Sequence, residues 1–571
     1  MNPETKNCQN CKNNFTIDQD DFAFYEKIKV PAPTFCPECR LVRRLLWRNM
    51  RSLHRRECGL CKKTVISMYS DDGVPVYCNE CWTSDAWSPF SYAKEYDISK
   101  PFFTQLKELY NQVPRLFRYG YGNLINSDFT NYTKDNKNAY LAYSVTDCED
   151  VMYSEVIDKS KNSLDCYGVQ KLDGSSYNID CEGNYNTHFA LQSQTCIDSN
   201  FIYDCVNCQN CCLSSNLRNQ QYVFMNQKLS KEAYNDAVAN LHLETASGFT
   251  AARNAFDALM KDTAIHKYAL IYASEHVTGD FIHHAKNIKH CFDINNAENL
   301  AYCMRDLDGV KDSYDLNGCA FGVESLYECA STNGNVYKNY FCIICTGARE
   351  CEYCLSCRNC SNCFGCVGLT GASYCIFNKQ YSKEEYFDKV EEIKHHMVSM
   401  PYEDEKGRVF SYGEFFPYDM SSYGYNETSA HDFFTLSEGE AKEKGFRWKP
   451  RDKRDYTITK NSVDLPDSIH DVDDGILNEV IGCPHDGNPN FQCTTAYRIV
   501  PNELQFYRQK NLPLPRYCPN CRHYQRLAYR NPMKLYHRAC SNNCGNTFES
   551  TYAPDRQERV LCESCYQKEV L

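Results

Sequence analysis

No stretch of this 571-residue chain approaches the roughly 18 consecutive apolar residues that a membrane-spanning helix requires. Its first residues, MNPETKNCQNCKNN, carry neither the basic opening nor the apolar core of a signal peptide. There is no glycine-rich phosphate loop, no nucleophile elbow and no pair of carboxylates in an acid/base pattern, so nothing in the sequence speaks for an enzyme or for a small-molecule substrate. With a membrane span and export set aside, the expectation is a soluble cytoplasmic protein whose 37 cysteines serve metal or burial and not a disulfide framework.

Cysteine is what the chain has in excess. Four Cys-x-x-Cys pairs open it: Cys8/Cys11, Cys36/Cys39, Cys58/Cys61 and Cys78/Cys81. Two thiolates at i and i+3 on a tight turn hold one face of a tetrahedral zinc, and a second pair closes the site. Taken in order these pairs make two four-cysteine sites, although an interleaved order fits the spacings too. The block Cys36 to Arg56, CPECRLVRRLLWRNMRSLHRR, returns at Cys518 to Arg538, CPNCRHYQRLAYRNPMKLYHR, at a constant offset of 482 that also pairs Phe24 with Phe506 and Tyr25 with Tyr507. A second such module, with Cys483, Cys493, Cys518 and Cys521 and then Cys540, Cys544, Cys562 and Cys565, therefore lies at the other end. Cys483 and Cys493 stand ten residues apart, so a long loop replaces the tight turn there or His485 takes a ligand position. About four zinc ions are expected on this ligand count.

Between the first two pairs, Phe15, Ile17, Phe22, Phe24 and Tyr25 alternate loosely before Pro31 and Pro33, as in a short hairpin and a turn. After Cys39 a helix is expected, with Arg40, Arg44 and Arg48 along one face. Its C-terminal copy carries Arg522, Arg526 and Arg530 and should end near Arg530, because Pro532 turns Asn531 away from helix; by the same token the first helix should end near Arg48. Residues 1–83 hold 13 basic against 10 acidic side chains and residues 483–571 hold 12 against 7, while the stretch between holds 37 against 57. Two uses fit these arginines: gripping RNA or DNA phosphates, with Trp47, Tyr529 and Tyr536 as stacking faces, or docking onto the acidic body or an acidic protein partner.

A helix starting on the second cysteine pair is the treble-clef arrangement. The run of CxxC ending at Cys11, then Phe24-Tyr25, Pro31 and Cys36-Pro37-x-Cys39-Arg40, resembles the bacterial zinc-ribbon domain of treble-clef type. Over nearly its full length, including YDISKPFF, YGEFFPY and YNETSAHDFF, the chain resembles the large cysteine-rich zinc-ribbon proteins common in Patescibacteria, the candidate phyla radiation. The resemblance implies an architecture and supplies no catalytic residues.

The middle repeats at about twelve residues. Asn138, Asp150, Asn162, Ser175, Asn186, Asp198 and Asn210 mark one array, and Asn287, Asn299, Asp312, Ser325, Lys338, Glu350 and Asn362 a second. Around the second array two columns of small apolar residues stand six apart, among them Cys291, Cys303, Cys329, Cys342 and Cys354, as the inward ladder of a β-solenoid requires. Ser230, and Ser382 with Glu385, open helices placed to cover the lobe edges. The cysteines at every third position from Cys351 to Cys366 are read as core packing ahead of a further metal site or disulfides, and His283, His284 and His290 as solvated or core residues ahead of ligands.

The expected chain is a mainly β, multidomain one: a double zinc-ribbon, treble-clef module at 1–83, a connecting segment at 84–130, a β-solenoid-like lobe with capping helix at 131–242, a helical connector at 243–278, a second such lobe at 279–398, a linker at 399–482 with a solvated Asp-rich run, and the second module at 483–571. The expected function is a non-catalytic zinc-binding scaffold with a protein partner or self-association, or alternatively RNA or DNA binding through the six arginines.

Overall fold

In the computed structural model, which describes residues 2–571 except 307, 319–320 and 452–455, a three-residue rhythm underlies the central sheets. From Asn138 through Leu141, Ser144, Asp147 and Asp150 to Asn162, every third residue has φ between 45° and 58°. The residue after each such corner is buried, as at Ala139, Ala142, Val145, Cys148, Val151 and Ser154. Four corners make a twelve-residue circuit, after which the chain pairs in parallel with itself, Tyr143 with Glu155 and Glu155 with Tyr167. A left-handed corner costs an L-residue roughly 1–2 kcal/mol, which favours Asn, Asp and Gly there. Ladders of those side chains offset part of the cost: Asn138 Nδ2 donates to Asp150 Oδ1 at 2.9 Å, and Asn186 Nδ2 to Asp198 Oδ1 at 2.7 Å. The second sheet pairs in the same parallel fashion, with Leu300 beside Ser313, Leu316 beside Cys329 and Cys363 beside Cys375.

Four inward positions per circuit, not two, therefore build the core, and the two expected columns are every second one of them. The same rhythm turns Cys351, Cys354, Cys357, Cys360, Cys363 and Cys366 inward on successive sides. Their thiols are satisfied by backbone: Cys354 Sγ donates to the carbonyls of Glu352 and Cys363, each at 3.4 Å. All twenty described cysteines of the two lobes are free and buried, and burial pushes the Cys148 and Cys166 thiols up to about 12. Protonated, hydrogen-bonded thiols pack as small apolar groups. His283 stacks on Tyr272 with ring centroids 5.1 Å apart and His290 lies beside Tyr302, neither within a metal-binding group.

The last strand of each lobe is covered as its capping signals suggest. The helix Lys231–Ala239 starts on Ser230 and sets Tyr234 against Tyr222, and Lys383–Ser399 starts on the Ser382/Glu385 capping box and sets Tyr386 against Tyr374. Chain contacts divide the protein into two compact units, one joining residues 1–118 to 269–449 and the other joining 119–268 to 450–571. Each unit thus combines one cysteine module with the lobe remote from it in sequence.

Two segments depart from expectation. Phe22, Phe24 and Tyr25 lie on a helix, Gln19–Ile28, that Asp18 and Asp21 open as a reciprocal capping box. Within 399–482 the described residues include packed apolar stretches, which a wholly solvated linker would not have. In the first unit Phe410, Phe415, Phe416, Tyr418 and Met420 are buried, and in the second Leu465, Ile469, Val472 and Ile476 join the core around Cys493 and Cys518. The Asp residues of that run face outward between apolar positions four, three and four apart, which is what conceals the pattern.

His188, inside the first lobe with Nδ1 2.8 Å from Ser176 Oγ, yields a prediction about acid. Burial, with Lys510 nearby, pulls its pKa from 6.5 down to about 3. The unfolded chain binds a proton below 6.5 that the folded lobe refuses, so this term is fully present above that value and is lost as the pH falls toward 3. At pH 5 the loss should be about 2 kcal/mol. Urea unfolding at pH 7 and pH 5 should show that extra loss in the wild type and not in His188→Gln.

Candidate metal centres and the arginine joint

Each cysteine group is assembled from a hairpin and a helix start. The hairpin of Glu4–Asn7 and Asn14–Ile17 brings round Cys8 and Cys11, and Cys36 is the N-cap of the helix Pro37–Leu45, whose first turn carries Cys39. The hairpin of His54–Glu57 and Thr64–Ser67 serves Cys58 and Cys61, with Cys78 as N-cap of Asn79–Trp82. Cys518 and Cys562 likewise cap Pro519–Leu527 and Glu563–Val570. The helices end at Leu45 and Leu527, three residues short of Arg48 and Arg530, because the next turn tightens into i+3 bonds such as Trp47 N to the Arg44 carbonyl.

The structure gathers the sixteen cysteines into four groups, pairing neighbouring pairs in sequence order: Cys8, Cys11, Cys36 and Cys39; Cys58, Cys61, Cys78 and Cys81; Cys483, Cys493, Cys518 and Cys521; Cys540, Cys544, Cys562 and Cys565. Within each, all sulfurs lie within 4.8 Å of one another. A tetrahedron of thiolates about 2.3 Å from a metal has edges of about 3.8 Å. The separations Cys11–Cys36 at 3.7 Å, Cys61–Cys78 at 3.8 Å, Cys483–Cys521 at 3.8 Å and Cys544–Cys562 at 3.7 Å match that edge. In all four groups the N-cap amide donates to the first sulfur: Cys36 N to Cys8 and Cys78 N to Cys58 at 3.2 Å, Cys518 N to Cys483 and Cys562 N to Cys540 at 3.4 Å. Such donors favour thiolate; burial raises the Cys58 thiol, yet the Cys78, Cys61 and Leu60 amides outweigh it and bring it down to about 6. The donor set fits four tetrahedral metal ions. His485 is not among the four sulfurs of its group. Its Nδ1 stands 3.2 Å from Cys521 Sγ, with the ring between Phe491 and Tyr517, so it supports a ligand from outside.

The six arginines offered to phosphate in the sequence are placed against the chain's own lobes. In the first unit Arg40 and Arg44 close on the two oxygens of Asp315 at 3.0 and 2.9 Å, Arg43 bridges Glu328 at 2.6 Å and Glu414 at 3.0 Å, and Arg48 donates to the Asn317 carbonyl at 3.3 Å. In the second, Arg522 and Arg526 close on Asp165, and Arg530 meets Asp180 at 2.9 Å. Arg40, Arg43, Arg44, Arg522 and Arg526 are at most 3% exposed. Burial opposes charge on Arg40 and Arg522, but Asp315 and Asp165 outweigh it and hold both well above the ordinary arginine range.

The joint is the same construction twice. Arg44 and Arg526 donate to the carbonyls of Tyr302 and Tyr153, and the guanidinium groups of Arg40 and Arg522 lie over those tyrosine rings at 5.3 and 4.7 Å. The two tyrosine hydroxyls donate to Asp21 at 3.0 Å and Glu503 at 2.7 Å, acids 482 positions apart that sit in the first turn of equivalent helices. Sequence reasoning missed Asp21, Glu503, Tyr153 and Tyr302; the shared offset of the two acids was the available signal.

Among the described residues no helix is long and apolar enough to cross a membrane. In comparisons with known proteins, no family model, no curated protein and no solved structure matches the chain.

Proposed function

We propose that the chain is a zinc-binding, non-catalytic scaffold of the cytoplasm. Four zinc ions set two double zinc-ribbon modules of treble-clef form, the modules grip two β-solenoid lobes, and the remaining surface serves protein interaction. The observation that carries this reading is the repeated joint, in which a helix nucleated on a cysteine pair turns two arginines onto one buried aspartate. Four thiolates suit zinc, and a closed four-sulfur shell leaves no position open for a substrate. Numerous free thiols fit a reducing compartment. The alternative, RNA or DNA binding, relies on the same six arginines, and the engagement of five of them by Asp165, Asp180 and Asp315, with Arg48 on the Asn317 carbonyl, weighs against it.

Elemental analysis of the purified chain tests the reading. It should return four zinc ions per chain, one for each cysteine group, unchanged in Cys354→Ala and lower by one in Cys518→Ser. One zinc or fewer in the wild type, or loss of an ion in Cys354→Ala, contradicts it.

A further inference from the structure

The duplication extends to a corner at which the two units differ. In the first unit that corner is formed by the helix Phe102–Gln112, the strand Arg115–Leu116 and the module residues Trp47 and Tyr69; in the second, by the helix Ala246–Asp262, the strand Ile265–Lys267 and Tyr529 and Tyr552. Hydrogen bonds fix the equivalence. Ser67 Oγ donates to the Phe117 carbonyl at 2.9 Å and accepts from Tyr69 N at 3.0 Å, just as Ser550 Oγ donates to the Tyr268 carbonyl at 2.6 Å and accepts from Tyr552 N at 3.2 Å. Arg115 pairs with Val76 where His266 pairs with Val560. Arg115 donates to the Tyr110 carbonyl at 3.0 Å, and His266 Nε2 donates to the Met260 carbonyl at 2.8 Å.

In the first unit the chain fills this corner itself with the stretch Phe416–Tyr423, FPYDMSSY. Phe416 packs on Trp47 with centroids 5.3 Å apart, and Tyr423 stacks on Tyr69 at 5.3 Å with the planes 16° apart. Ser421 Oγ donates to the Leu46 carbonyl at 2.7 Å, and Ser422 Oγ accepts from Arg115. In the second unit the counterparts of Leu46, Trp47, Tyr69 and Arg115, namely Ala528, Tyr529, Tyr552 and His266, line a cavity of about 160 Å³, with Leu191 and Met260 as apolar wall. A cavity of roughly 150 Å³ is known to admit one benzene ring, so this one has room for a single aromatic side chain. Tyr203 and Tyr552 hydroxyls each lie 3.0 Å from His266 Nδ1, and burial keeps that imidazole below its ordinary pKa. The place of the Arg115 guanidinium is taken by an imidazole already bonded to Tyr203, Tyr552 and the Met260 carbonyl, while the charged groups of the lining, Arg556 and Lys261 with Asp180, Asp257 and Glu558, are of both signs.

We propose that this cavity docks an extended segment of a partner protein with the chemistry that fills its twin: an aromatic anchor entering between Tyr529 and Tyr552, accompanied by a serine or threonine hydroxyl directed at the Ala528 carbonyl. The proposal rests on the scaffold reading and names the surface through which the scaffold takes a partner.

The probe is a fluorescein-labelled peptide of the chain's own sequence FPYDMSSY, titrated with the full chain and followed by anisotropy. Saturable binding is expected, weakened about tenfold or more by Ala528→Trp, which places a ring from an exposed position into the cavity, and by Met260→Trp at a second lining position. Absence of saturable binding, or binding that both tryptophan variants leave unchanged, overturns the proposal. Zinc content measured on the same preparations separates that outcome from failure of the scaffold reading, since four retained ions with no peptide binding removes the docking site alone.

Discussion

Replacing Asp315 by alanine is expected to destabilise the first unit by about 3–5 kcal/mol. The carboxylate is fully buried and receives both Arg40 and Arg44, so its removal leaves two guanidinium groups in the interior without their main counter-charge. Asp165→Ala should do the same in the second unit through Arg522 and Arg526. The exposed pair Lys442–Glu438, at 2.6 Å on a helix surface, provides the contrast: Glu438→Ala should change stability by about 0.5 kcal/mol or less. A buried ion pair contributes position more than net stability, so the triple variant Arg40→Met, Arg44→Met, Asp315→Leu should recover much of the loss. Denaturant unfolding of these variants is the measurement. A cost for Asp315→Ala no larger than that of Glu438→Ala would show that the arginines do not close on it.

Stripping the metal should have the second large effect. Structural zinc contributes roughly 10–16 kcal/mol to the folding of small zinc domains, because no preformed site exists in the unfolded chain. Here Cys36 and Cys518 cap the very helices that carry the arginines, so loss of the ion removes the start of Pro37–Leu45 and of Pro519–Leu527 together. The lobes hold no described metal-binding group and are built on parallel backbone pairing, so a chelator should abolish helical circular dichroism from the modules and leave the β signal in place. Complete metal removal with an unchanged spectrum would contradict this.

The metal groups were legible because tetrahedral coordination demands paired ligands at short spacing, and Cys-x-x-Cys leaves that demand on the surface of the sequence. Of the stretched pair, Cys493 stands at the offset from Cys11, whereas Cys483 is out of that register with Cys8 and was legible only as the cysteine preceding Cys493. The triplet rhythm of the lobes was half legible. ECEYCLSCRNCSNCFGC displays it, but elsewhere serine takes the inward place, and a buried serine breaks a hydrophobic pattern without breaking the packing. Ser154 shows how: its hydroxyl donates to the Met152 carbonyl at 2.7 Å and accepts from Cys166 N at 3.0 Å. The helix Gln19–Ile28 escaped because its capping box uses two aspartates in place of the usual Ser and Glu. Least legible was the docking of each module, since Arg40 and Asp315 are 275 residues apart and no local propensity encodes such a pair.

The central claim, that the arginines of both modules face the chain's own lobes, is tested most directly by dicarbonyl labelling of the native chain, read residue by residue by mass spectrometry. Arg40, Arg43, Arg44, Arg522 and Arg526 should remain unmodified while the exposed Arg55 reacts, and chelation should bring all five to the rate of Arg55. Labelling of the five at that rate before any metal is removed would contradict the account.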